Sequence, residues 1–185
     1  MRFTVTADWR DNRLLRLVLV WFLVYVVCLW VTNALLFFSK MGLSPSSVLA
    51  YYGGDEARFL QPRSYQGMLE ISHFHLFAMG IMVLTMSHLL LFVPIPNSWK
   101  WWGVSLPFAS ALADEAAGWL IRFVNPAFAY LKIAAFLTFQ ATLALLVVAV
   151  AWAIATGRRN DYRSSAPSGA EKEVEGQHAG SRASS

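Results

Sequence analysis

Four long apolar blocks run through the first 156 residues, and they constrain the fold more than any other feature. They cover about Leu14–Phe38, Met68–Val93, Trp101–Val124 and Ala127–Thr156. Each exceeds the roughly 20 residues that a helix needs to cross the hydrocarbon core. In lipid the backbone must satisfy its own polar groups, so such blocks form helices. The expectation is an all-α integral membrane four-helix bundle over residues 1–156, followed by a tail at 157–185. Composition agrees: only 14% of the residues are charged, against about a quarter in a soluble domain.

The ends of the blocks are marked. Pro94 and Pro96 stop the second, and Asn125-Pro126 supplies a cap and first position for the fourth. Pro107 should kink the third. Trp99, Trp101, Trp102 and Trp119 suit interfacial aromatic belts. The first block is too long for the apolar core of a signal peptide and reads as a retained anchor. Between the first two blocks, Ser44-Pro45 should open a short helix that ends before Gly53-Gly54, with a further turn at Asp55. The tail is rich in Ser, Gly, Ala and charge, so it is expected to be disordered, with His178 outside any site.

A net charge of +4 raises the question of nucleic acid. The basic residues, however, sit at block ends with no basic patch between aromatics, and they read as topology signals. Arg2, Arg10, Arg13, Arg16, Lys100, Arg158, Arg159 and Arg163 fall on one side of an even number of crossings. Lys40, Arg58, Arg63, Arg122 and Lys132 fall on the other. The larger group predicts that both termini are cytoplasmic. The single cysteine, Cys28, excludes an intrachain disulfide, cysteine-pair redox chemistry and a cysteine-cluster metal site. It reads as a small buried apolar residue.

Chemistry concentrates in the second block, which holds Glu70, His73, His75 and His88. Ionisable groups inside a membrane are costly and face a partner, a cavity or a cofactor. At ~100° per residue, Glu70, His73, Phe77, Gly80, Leu84 and His88 share one face. His75 lies on another with Met68, Ser72, Met79, Met82 and Met86. Thioether and imidazole ligands suit Cu(I), while methionine equally packs well against irregular neighbours.

His73 and His88 are roughly 22 Å apart along the axis, and this helix resembles the axial-ligand helix of dihaem cytochrome b proteins. That resemblance implies haem b, with Gly80 leaving room for a porphyrin. The other apolar blocks contain no histidine, so further ligands would have to come from a second copy across a two-fold axis or from a partner cytochrome.

The third block adds Asp114 and Glu115, the fourth Lys132, and the first Thr32 and Asn33. Counting turns from the block ends puts all of these, with Glu70, His73 and His75, in one half of the bilayer. The Ala109, Ala113, Ala117 and Gly118 ladder offers a helix-packing surface. The polar cluster supports three readings. It binds a divalent transition metal; it forms a proton relay or lines a quinone site; or Lys132 and Arg122 pair with Asp114 and Glu115 and only fix the packing.

The stretches YYGGDE at 51–56, QPRSYQGMLE at 61–70 and HFHLF at 73–77 resemble a loosely defined set of small bacterial inner-membrane proteins. This resemblance implies a multi-pass protein of the bacterial inner membrane and no particular mechanism. No hydrolase, kinase or phosphate-loop motif is present. The leading expectation is a redox or electron-transfer subunit binding haem b through His73 and His88. The alternatives are a copper, iron or zinc site on Glu70, His75, Asp114 and Glu115, or a non-catalytic assembly subunit of a membrane complex. Its partners would be the lipid bilayer and either further copies of the chain or other membrane subunits.

Overall fold

A computed structural model describes residues 13–156. Residues 1–12 and the tail expected at 157–185, with His178, lie outside the described residues, as do Arg2, Arg10, Arg158, Arg159 and Arg163. The order is α1 (Arg13–Lys40), α2 (Pro45–Gly53), a 3-10 turn (Glu56–Arg58), α3 (Tyr65–Leu91), α4 (Asn97–Phe123), a second 3-10 turn (Pro126–Phe128) and α5 (Ala129–Thr156). The class is all-α, as expected; the described residues contain one isolated bridge, Asp55 to Leu60, and no strand.

α1, α3 and the stretch Pro126–Thr156 are long and apolar enough to cross a membrane. α4 is as long, with 27 residues, or ~40 Å at 1.5 Å per residue. It is the most amphipathic of the long helices, with Ser110, Asp114 and Glu115 turned towards neighbouring helices. α4 packs most extensively on α5 and next on α3, while α1 leans on α5. Short connections make α3, α4 and α5 antiparallel neighbours. One end of the bundle therefore carries α2 and the α4–α5 turn (the loop end), and the other carries the α3–α4 turn.

The local signals act as read. Ser44 caps α2, accepting from the Ser47 N–H at 3.3 Å, with Pro45 in the first turn. Asp55 Oδ1 accepts from the Ala57 N–H at 3.1 Å, and Asn125 Oδ1 from the Ala127 N–H at 2.8 Å. Asn125-Pro126 thus opens a 3-10 turn, and the α-helix proper starts at Ala129. Gly54 has φ +87°, and a Cβ there would lie 2.8 Å from the Leu60 carbonyl oxygen; only glycine fits this turn. At the opposite end the Lys100 ammonium donates to the Leu91 carbonyl at 2.8 Å, closing the last turn of α3.

Two expectations are corrected. Cys28 is exposed rather than buried, because α1 presses only one edge against the bundle and turns this residue outward. Trp119 does not join the aromatic belt. Trp99, Trp101 and Trp102 are about 70% exposed or more, but Trp119 turns inward and donates to Ser72.

The core divides along the axis. Away from the loop end, Val26, Met82, Val83, Met86, Leu90, Phe139, Leu143, Leu146 and Val150 form one dry cluster. Met82 and Met86 therefore serve as packing residues. At the loop end, Phe37, Met41, Val48, Tyr52, Met68, Ile121, Ala129 and Phe136 form a second cluster, with the Phe37 and Phe136 rings stacked at 3.7 Å.

Candidate functional site

The loop-end cluster borders a partly open cavity of about 310 Å³, whose polar groups come from Asn33, Tyr52, Ser72, His75, Asp114, Glu115 and Lys132, with Lys40 and Arg63. Helix register explains the convergence. Ser72 and His75 lie within ~15 Å of the start of α3, and Asp114 and Glu115 within ~14 Å of the end of α4, at 1.5 Å per residue. Antiparallel packing brings those two levels together, and Lys132 reaches the same level from the first turns of α5.

Two side-chain pairs organise the cavity wall. The Lys132 ammonium lies 2.9 Å from Asp114 Oδ2 and donates to the Asp114 carbonyl at 3.0 Å. Lys132 is buried; it is tolerable there because its charge is paired with the Asp114 carboxylate and further hydrogen-bonded. Asp114 Oδ1 is equally buried and has no hydrogen-bond partner among the described residues. The second pair is His75 and Glu115, with His75 Nδ1 3.2 Å from Glu115 Oε2. Ser72 Oγ donates to Glu115 Oε1, and Trp119 Nε1 donates to Ser72 Oγ at 2.8 Å. Trp119, Ser72, Glu115 and His75 thus form one hydrogen-bonded chain across α3 and α4, with the imidazole at its cavity end.

α2 roofs the cavity. Tyr52 packs so closely on Gly118 that a Cβ there would lie 2.9 Å from the phenol oxygen. Glycine at this point of the small-residue ladder admits a ring rather than a helix. Burial raises the Tyr52 phenol pKa above its ordinary value, partly offset by Lys132. The roof is fastened twice. The Arg63 N–H donates to the Tyr52 carbonyl at 3.1 Å, and Arg122 Nε donates to the Arg63 carbonyl at 3.0 Å. The Arg63 guanidinium lies 4.1 Å from the centre of the Tyr51 ring.

The residues singled out in the sequence separate into two sets. His75, Asp114, Glu115 and Lys132 come together, and Asn33 joins them. Glu70 is exposed and accepts from Gln66 Nε2 at 3.0 Å. Five residues on a helix turn it ~140° away from His75, so it leaves the proposed metal set. Among the described residues, no three His, Cys, Asp or Glu side chains gather closely enough to hold a metal ion. Arg122 does not reach Glu115; it sits farther towards the loop end and ties down the roof instead.

His73 and His88 lie on the exposed face of α3 with Phe77 and Leu84. Their ring contacts are to near neighbours, Phe74 and Phe92. The wheel placed these two histidines together correctly, and the fold turns their face away from the chain's own core. Sequence reasoning missed Ser72, Trp119 and Tyr52 as site residues. Ser72 was visible on the inward stripe with His75, but nothing local marked Tyr52 as a roof.

A family model described as a transmembrane helical domain matches residues 42–161. No curated protein and no solved structure matches the chain.

Proposed function

The chain belongs to that family of transmembrane helical domains, and from this premise we propose that it is a subunit of a membrane redox system whose polar cavity takes a quinone-type head group. In this reading α4 also crosses, giving four passes with both termini cytoplasmic, and the cavity opens in the outer half of the bilayer. The observation that carries the reading is the His75–Glu115 pair in the cavity wall, at 3.2 Å. A quinone gains or loses protons with its electrons, so its site needs a side chain that can pass a proton. The imidazole of His75 can take or give one at a ring nitrogen, and Glu115 orients the ring. Lys132 and Asp114 supply a fixed charge pair behind the head. The electrons come from a partner subunit or a second copy.

Titration of the purified chain in mild detergent with a decyl-substituted benzoquinone tests this, with tryptophan quenching as the signal. His75→Ala and Glu115→Gln should each weaken binding at least about tenfold, the effect of losing one charge-assisted hydrogen bond. Unchanged affinity in both variants rejects the reading.

A second reading keeps haem b on His73 and His88. Its support is the exposed Glu70, His73 and His88 face of α3, where a Cβ on Gly80 would meet nothing within 4 Å. A second copy facing this stripe would complete the ligand sets. Dithionite-reduced and oxidised absorption spectra test it, since loss of a haem band in His73→Ala and His88→Ala is required.

A further inference from the structure

The polar cavity does not end at His75. A second space of about 330 Å³ adjoins it, lined by Leu29, Trp30, Ala78, Met79, Met82 and Leu143, among others. Asn33, Leu36 and His75 line both spaces, so the second begins where the first ends. The lining becomes less polar across that boundary. Thr32, which also borders the second space, returns its hydroxyl to the Cys28 and Leu29 carbonyls at 2.8 and 3.1 Å. Trp30 Nε1 is held by the Gln140 carbonyl at 3.1 Å. Apart from Asn33 and His75 at the boundary, what faces the second space is therefore mainly apolar. From His75 to Met82 it runs ~10 Å further towards the middle of the bundle.

Its open side is also defined. α1 packs on α5, and α3 packs on α4 and α5, but α1 and α3 make at most marginal contact with each other. They form the two walls of the second space, so it opens sideways, where lipid chains lie against the bundle.

We propose that the two spaces are the head and tail chambers of one site, which takes a single-chain amphiphile with a polar ring, entering from the bilayer between α1 and α3. The inference rests on the quinone-site reading and adds to it the ligand's tail and its route. The roof argues for the sideways route: α2 is tied down by Tyr52, Arg63 and Arg122, so the loop-end entrance is the more obstructed one. A tail beside Met79 and Met82 meets unbranched side chains that adapt to its shape.

The test uses the full chain in mild detergent and two probes: the decyl-substituted benzoquinone and the same ring with a methyl group in place of the decyl chain. In the wild-type chain the tailed probe should bind at least about tenfold more tightly than the tailless one, a gap of about 1.4 kcal/mol. A diazirine placed midway along the tail should label peptides containing residues 29–36 and 78–82. Ala78→Phe fills the second space from an exposed position, and Leu29→Trp does so from the opposite wall. Each should bring the affinity ratio close to one and remove the labelling. If both probes bind equally to the wild type, or the ratio survives both variants, the tail chamber is wrong while the head site stands. If neither probe binds to the wild type, the quinone reading falls and takes this inference with it.

Discussion

The two halves of this bundle are built on different principles. Away from the loop end, Met82, Val83, Met86, Leu143, Leu146 and Val150 interlock without a charge among them. At the loop end the same helices border a cavity, and beside a smaller apolar cluster they carry one buried ion pair, Lys132–Asp114, and the half-exposed His75–Glu115 pair. In a membrane, apolar side chains gain little by leaving lipid, so the dry half is held by close packing. The polar half is held by groups that become liabilities once a partner is removed. The comparison shows where this chain tolerates cost, and that place is the cavity.

Removing one side of the buried ion pair should have the largest effect on the polar half. Lys132→Met leaves Asp114 buried and uncompensated, and should lower stability by about 3–5 kcal/mol. Adding Asp114→Leu should restore most of the loss. In the dry half Leu143→Ala should cost about 1–3 kcal/mol, since only packing is lost. Denaturation in mixed detergent gives both values. Equal losses at the two sites, with no rescue by the double change, would erase the distinction drawn here.

A smaller effect is expected at the roof. Gly118→Ala sets a methyl group against the Tyr52 ring, whose oxygen would be 2.9 Å away. Displacing the ring should cost about 1–2 kcal/mol and expose the cavity from above. Protease cleavage within the α2–α3 loop should become faster; an unchanged cleavage rate would mean that the ring is not a fixed roof.

The smallest effect concerns pH. Burial raises the Tyr52 pKa in the folded state, so the folded chain holds this proton more tightly than the unfolded chain does. The resulting stability is fully present below the ordinary tyrosine value of about 10 and is lost as pH rises through the folded value. Tyr52→Phe should flatten that part of the alkaline loss. A melting-temperature series from pH 8 to 11 would decide it, and an identical slope in both proteins would dismiss Tyr52 as a contributor.

Much of the architecture was legible in the residues. Ser44-Pro45, Gly54, Asp55 and Asn125-Pro126 act locally, through their own hydrogen bonds and backbone preferences, and each did what its type dictates. The boundaries moved by a few residues because hydropathy alone does not locate the caps: α3 starts at Tyr65, where Ser64 caps it, rather than at Met68. The site was legible in part. His75, Asp114, Glu115 and Lys132 could be brought to one level by counting turns. Counting turns gives height but not facing, which is why Glu70 was grouped with them and Trp119 was assigned to the membrane surface.

By itself, then, the sequence determined an all-α membrane protein, the approximate positions of its long helices and the two stripes of α3. These follow from hydropathy and from a 3.6-residue repeat, which need no knowledge of other elements. Only the tertiary structure decided which stripe turned inward, which carboxylate took Lys132 and which took His75, and that Tyr52 closed the cavity over Gly118. Those outcomes depend on distances between segments remote in the chain, and no local pattern encodes them.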